Sequence, residues 1–326
     1  VAGVKPPTST ASGILLIDKA GGFTSHDVVA RTRRLAGTRK VGHAGTLDPM
    51  ATGLLILGVN SSTRLLTYLV GADKEYLATI RLGASTTTDD VEGEVLERAA
   101  PGAVEALDSA AVDHALDAQR GTIDQVPSSV SAIKVDGQRA YARVRAGEDV
   151  VLKSRTVTIS ELEVLGAPRA GQDADGHPVL DIDVRVVCSS GTYIRAIARD
   201  LGAALGTGGH LTSLRRTRVG PFRVTDARTL DQLDAGAEAA EPVPLLAPAA
   251  VAAALFPVLE VDAQEAAALG HGQRIRVDEA VPAGPVAAIT AEGRLVGLVE
   301  RQGRNAKSIV NFPPDEYAAV RPEETT

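Results

Sequence analysis

Cysteine is nearly missing from this chain: Cys188 is the single instance in 326 residues. That excludes an intramolecular disulfide and a multi-cysteine metal site, and it fits a reducing cytoplasm. Cys188 itself reads as a buried strand residue. Long apolar runs are missing too. No segment is long enough to span a bilayer, and no signal-peptide pattern occurs. No membrane association is therefore expected, and the expected location is cytoplasmic. Lysine is scarce, 7 against 27 arginines, a bias that carries no functional reading by itself. No internal repeat is evident. What is present suffices for a full core. Apolar residues make up 44% of the chain, which excludes global disorder, and the length suits one large domain plus a small one.

The pattern along the chain predicts short strands and helices without regular βαβ alternation. Val1 to Ser12 is rich in Pro, Ser and Thr and reads as a loose tail. Strands are expected at 14–18, 76–82, 157–165 and 179–187, the second from the alternation of Tyr76, Ala78, Ile80 and Leu82 with more polar partners, and 54–59 is an apolar run. Ser25 can cap a helix reaching about Ala36. An acidic, alanine-rich helix is expected over 103–118, after a hairpin tip at 86–94. Ile194, Ile197, Ala198 and Leu201 mark another helix, with Arg195 and Arg199 together on a second face. Residues 235–254 read as a linker. Beyond it, a helix near 263–269 and strands near 274–277, 286–289, 295–299 and 308–310 suggest a compact β-rich module. This is an α+β organisation rather than a doubly wound sheet.

One stretch is too specific to be filler: Gly42-His43-Ala44-Gly45-Thr46-Leu47-Asp48-Pro49-Met50-Ala51-Thr52-Gly53-Leu54-Leu55. Small residues surround a single carboxylate. Pro49 holds the backbone of Asp48 extended, and the glycines allow tight turning or close approach of a ligand. The string resembles the signature loop of the bacterial tRNA pseudouridine-55 synthases, the TruB family. Gly13-Ile14-Leu15-Leu16-Ile17-Asp18-Lys19 resembles that family's opening strand, Lys74-Glu75-Tyr76 its second motif, and Cys188-Ser189-Ser190-Gly191-Thr192-Tyr193-Ile194-Arg195 its third. Similarity extends through 125–137 and 210–222 and thins after about residue 224. Pro127-Ser128 stands where the family has two prolines.

The resemblance implies a pseudouridine synthase fold with a mixed central sheet, over about 13–250. A basic insertion near 130–150 belongs to this catalytic domain. A PUA-like RNA-binding domain follows at 255–326. It implies isomerisation of the uridine at position 55 of the tRNA T loop. The N1–C1′ bond breaks, the base turns, and C5 bonds to C1′. The target is stacked in RNA, so the nucleotide must be flipped out. Asp48 is implied as nucleophile, with attack at C1′, formation of a glycal and addition to C6 all left open. Arg195 is implied as the cation that keeps it ionised. Tyr76 is implied to stack on the uracil, Tyr193 and Leu214 to line the pocket, and His43 to occupy space near the displaced nucleotide. Lys19, Lys74, Arg215 and Arg216 are candidate RNA contacts. His43 has no second His or Cys at ligand spacing, so no metal is expected, nor any cofactor. The expected partner is the tRNA T arm, with no protein partner required.

The net charge of −7 looks wrong for an RNA binder, but it is unevenly spread. Residues 14–81 hold nine basic against five acidic residues, and 185–223 seven against one; 89–117 hold nine acids against one base, and 224–265 eight against one. A basic face on an acidic body can still steer a polyanion, since salt screens the far side within roughly 10 Å. The motif-bearing blocks are therefore expected to form one basic face around Asp48, with the acidic blocks away from it or at its rim. Three rivals differ in class. A non-catalytic RNA-binding or tRNA-folding protein would lack the acid, and Asp48 is present. A guide-RNA-dependent relative would carry partner-binding extensions. A glycosidase would want two flanking carboxylates.

Overall fold

The computed structural model describes residues 11–128 and 153–314, with the backbone of two short strands at Lys134–Val135 and Gln138–Arg139. The basic insertion expected near 130–150 otherwise lies outside the described residues, as does most of the expected tail. Ser12, at the end of that tail, is buried and hydrogen-bonded to the Ser61 and Ser62 hydroxyls at 2.8 Å each.

Two sheets organise the chain. The larger runs in the order Gly13–Lys19, Thr52–Val59, Gly209–Val219, Lys74–Leu82, Pro178–Cys188, Arg155–Val164 and Gly121–Gln125. Every neighbouring pair on this path is antiparallel except Thr52–Val59 against Gly209–Val219. The sheet is therefore mixed, and the architecture is α+β as expected. The parallel crossing depends on Gly53, whose φ is +97° and where an added Cβ would sit 2.3 Å from the Arg216 carbonyl oxygen.

Burial explains why two strands read as unbroken apolar runs. On Thr52–Val59, Leu55, Leu57 and Val59 face the main core with the helix Ser25–Leu35, while Leu54 and Ile56 face a second cluster shared with Leu295, Leu298 and Phe312. Gly13–Lys19 divides the same way, Leu15 and Ile17 on one side, Ile14 and Leu16 on the other. Both strands are covered on both faces, so no polar alternation survives. The strand Lys74–Leu82 keeps its alternation.

The second sheet is the C-terminal module. Its order is Val258–Val261, Pro285–Thr290, Leu295–Gln302, Asn305–Asn311 and Ile275–Arg276, with the helix Ala263–Gly270 packed on it. The strand Val258–Val261 was not expected; it pairs in parallel with Pro285–Thr290.

Three local expectations shift. The N-cap of the first helix is Thr24, in a capping box with Asp27, not Ser25. The acidic helix spans Ser109–Asp117 alone, because Gly102 takes a positive φ and Asp108 caps a fresh start. The stretch 235–254 holds parts of the helices Leu230–Glu238 and Pro248–Leu255, and between them Leu246 exchanges two backbone hydrogen bonds with Ile14, at 3.0 and 2.7 Å. No helix among the described residues is long and apolar enough to cross a membrane.

Candidate active site

Asp48 lies in the loop between the strands Val41–His43 and Thr52–Val59, at a cavity of about 470 Å³. Two buried side chains fix this loop from beneath. Ser25 Oγ accepts from the Leu47 amide at 2.9 Å and donates to the Leu47 carbonyl at 3.2 Å. Lys19 Nζ donates to the carbonyls of Ala20, Phe23 and Pro49 at 2.9, 2.7 and 3.1 Å. Arg216 completes the clamp, donating to the carbonyls of Leu54, Thr46 and Gly45.

The helix Ile194–Ala204 brings Arg195 to the same place. Gly202 lets this helix press on the sheet, since a Cβ there would lie 2.2 Å from Gly208. Arg195 Nε lies 3.1 Å from Asp48 Oδ2, while the same guanidinium reaches Asp90 Oδ2 at 3.2 Å and the Thr88 carbonyl at 2.8 Å. Arg195 is 5% and Asp90 3% exposed at the side chain, whereas Asp48 keeps 36%. The carboxylate of Asp48 thus opens to the cavity while its cation is sunk in protein. Burial pushes the Asp48 pKa above the usual carboxylate value; Arg195 pulls it down and Asp90 pushes it up. Just before the helix, Gln125 grips Tyr193, accepting from its amide at 2.8 Å and donating to its carbonyl at 3.0 Å.

Tyr76, Tyr193, Leu214, Lys74 and Arg216 line the cavity beside Asp48 and Arg195. Burial raises the pKa of both tyrosines, keeping the phenols neutral. His43 is not part of the cavity wall. Its ring packs edge-on against His26 with centroids 5.9 Å apart.

Each of the expected RNA contacts has protein partners in the structure. Lys19 is fully buried and its ammonium donates to three carbonyls, so it clamps the loop. Desolvation lowers its pKa to about 8, with Asp48 opposing. Arg216 is 1% exposed and serves the same loop. Lys74 is buried, donates to the Val70 and Ala72 carbonyls at 2.9 and 2.5 Å, and has its pKa lowered to about 8 by desolvation. Arg215 is engaged by both carboxylate oxygens of Asp18, at 2.9 and 2.7 Å. Several arginines of the basic blocks are held in ion pairs. Arg185 pairs with Glu75, Arg199 with Asp89, Arg218 with Asp73 and Arg31 with Asp234. Asp90, the second residue of an acidic block, sits within the site itself.

Four residues were not expected to serve the site: Ser25, Asp90, Gln125 and Arg155, the last an exposed cation in the cavity wall. Asp90 hides in a hairpin tip, Thr86 to Gly93, whose polar composition reads as ordinary turn. Among the described residues no group of three His, Cys, Asp or Glu could hold a metal ion.

Residues 33–194 match the N-terminal domain of TruB family pseudouridylate synthases. Residues 195–256 match the C-terminal domain of tRNA pseudouridylate synthase B, and 256–313 the C-terminal region of tRNA pseudouridine synthase II. The chain is 60% identical over 310 residues to the tRNA pseudouridine synthase B of Leifsonia xyli, covering 94% of this chain and 98% of that one. It is 54% identical to that of Thermobifida fusca, covering 93% and 99%. Among solved structures it resembles a chain of a Cbf5–Nop10–Gar1 complex, with a TM-score of 0.67 at 25% identity over 95% of this chain and 88% of that one.

Proposed function

The chain belongs to the TruB family of pseudouridylate synthases, and from that premise we propose that it converts the uridine at position 55 of the tRNA T loop to pseudouridine, with Asp48 as nucleophile. The observation that carries the proposal is the Asp48–Arg195 pair, 3.1 Å apart, at a cavity walled by Tyr76, Tyr193 and Leu214. A cavity of about 470 Å³ lies within the usual range for a small-molecule site. The nucleotide leaves its stack and enters. Tyr76 and Leu214 offer flat and apolar contact to the freed base, where aromatic stacking is worth roughly 1–3 kcal/mol. Asp48 attacks C1′, withdraws the C2′ proton to give a glycal, or adds to C6; each route starts from the ionised carboxylate. Arg195 keeps that charge available once RNA has displaced water. The N1–C1′ bond breaks, the base turns, and C5 bonds to C1′ as Asp48 is released from it or from C6, or as the glycal takes back its C2′ proton. The C5 proton departs and N1 takes one up. Reactant and product are isomers, so the reaction calls for no redox partner or co-substrate.

The T arm is the partner in this reading. The enzyme works without a protein subunit, in the cytoplasm where tRNA is handled. The test uses purified protein alone and unmodified transcribed tRNA, with pseudouridine mapped by chemical probing. Conversion at one T-loop uridine is expected. Asp48→Asn keeps the shape and removes the nucleophile, so conversion should fall by at least about 10³-fold while tRNA binding persists. Turnover by a homogeneous Asp48→Asn protein, or conversion elsewhere in the tRNA, would sink the assignment.

A further inference from the structure

Four cations stand in the wall of the cavity: Lys74, Arg155, Arg195 and Arg216. Three are committed to protein. Arg195 lies between Asp48 and Asp90, Arg216 is spent on three carbonyls, and Lys74 donates to two. Arg155 is exposed, and no ion pair or side-chain hydrogen bond ties its guanidinium to another described residue.

Its placement is not accidental to the site. Arg155 begins the strand Arg155–Val164 and pairs in register with Gln125. Residues directly opposite on antiparallel strands project to the same face. Gln125 is buried there with its amide fastened to the backbone of Tyr193. The pairing therefore carries Arg155 to the mouth of the cavity, close enough to the Tyr193 phenol for its charge to oppose the upward push of burial.

The electrostatics give this position a task. Within the site two carboxylates, Asp48 and Asp90, share the Arg195 guanidinium, and the wall cations Lys74 and Arg216 are turned to backbone carbonyls. Any nucleotide that brings C1′ to Asp48 carries phosphodiesters on both sides. At the entrance such a phosphate is best met by a cation whose donors are not already committed to protein. A guanidinium suits this, since its fork of donors matches two phosphate oxygens. We propose that Arg155 binds a backbone phosphate flanking the nucleotide that enters the cavity, and so sets how tightly and in what register the RNA is held. This rests on the reading of Asp48 as the nucleophile of a tRNA-modifying enzyme.

The test compares wild type, Arg155→Ala and Arg155→Lys on an unmodified T-arm minihelix. Arg155→Ala should raise KM about tenfold, with a smaller loss in kcat, and should reduce the log–log slope of binding against salt by about one. Arg155→Lys should restore the slope. A second arm replaces the phosphate on either side of the target uridine, in turn, by an uncharged methylphosphonate. One of the two should weaken binding to wild type and have little further effect on Arg155→Ala, the non-additivity of two partners in one contact. Additive losses at both positions would overturn the phosphate assignment and leave a contact to the base or sugar. An unchanged salt slope for Arg155→Ala would overturn it as well. If wild type makes no pseudouridine, the functional reading fails first; if it does and Arg155→Ala behaves as wild type, the inference about Arg155 alone fails.

Discussion

Asp48 has to be ionised, yet it sits where burial opposes ionisation. Two neighbours act on it with opposite signs: Arg195 lowers its pKa and Asp90 raises it. The acid limb of kcat/KM should therefore lie above the ordinary carboxylate value, with activity lost as pH falls through it. Arg195→Gln removes the lowering partner, so the limb should move to higher pH. Asp90→Asn removes the raising partner, so it should move to lower pH. General damage to the fold would not shift one limb in two directions, which makes pH–rate profiles of the two variants a stringent check. Shifts of the same sign, or none, would show that Asp48 is not governed by this pair. Arg195→Gln also leaves Asp90 buried beside an uncharged amide, a loss expected to destabilise by several kcal/mol, so the profiles should be taken well below its melting temperature. The same geometry shows why side-chain type alone was a poor guide to role. Asp48, Tyr76, Tyr193, Leu214 and Arg195 could be placed from their motifs and do meet at one cavity. Lys19 and Arg216 also lie in motif segments, and their charge suggested phosphate. Their burial turns them inward, to carbonyl oxygens of the very loop that carries Asp48.

At the scale of elements, the first helix carries two hydroxyls in sequence with separate duties. Thr24 caps the helix through the Asp27 amide. Ser25, one residue on, holds Leu47 by both its amide and its carbonyl, next to Asp48. Thr24→Ala should cost about 1 kcal/mol of stability, the usual loss of a cap, with kcat little changed. Ser25→Ala leaves the Leu47 amide buried without its acceptor and should cost about 1–3 kcal/mol. It should also lower kcat, because the loop can then shift the carboxylate. Thermal melts and single-turnover rates on both variants would separate the two. A kcat for Ser25→Ala equal to that of Thr24→Ala would remove Ser25 from the positioning of Asp48. Sequence patterning could assign the wrong cap here because both residues are good N-cap formers and differ by one position. It located Lys74–Leu82 and Ile194–Ala204 well, where one face is buried and the period survives. It missed Val258–Val261, a short strand flanked by a proline and an aspartate whose half-exposed residues gain their partner from 29 residues downstream, with Val258 opposite Ala287. Its acidic helix ran too long, since alanine propensity continues through 103–108 while Gly102 and Asp108 reset the backbone.

At the scale of the whole molecule, charge and core lead to different expectations. Six of the seven arginines in 185–223 are held by protein groups: Arg185, Arg195, Arg199, Arg215, Arg216 and Arg218. The cations available to RNA are thus fewer than the block charges suggest. The apolar interior is continuous where the charge is not. The cluster of Ile14, Leu16, Leu54, Ile56 and Phe222 from the large sheet also contains Ala287, Leu295 and Leu298 from the small one, and Phe312 just after it. Burying the second face of Gly13–Lys19 and Thr52–Val59 is therefore a task of the C-terminal module, beyond any contact it makes with RNA. Without it, those strands would expose a contiguous apolar face, which favours association. The two sheets are accordingly expected to unfold together. Leu298 is fully buried in the shared cluster, and Leu298→Ala should cost about 2–5 kcal/mol. Were the sheets independent, that cost would fall on the small one, and calorimetry would show an early transition splitting from an unchanged main peak. With a shared core, one transition should move as a whole to lower temperature, and activity at a site built on the other sheet should be lost at that same temperature. A split endotherm, with conversion of tRNA surviving the first peak, would show that the C-terminal module covers the large sheet without stabilising it.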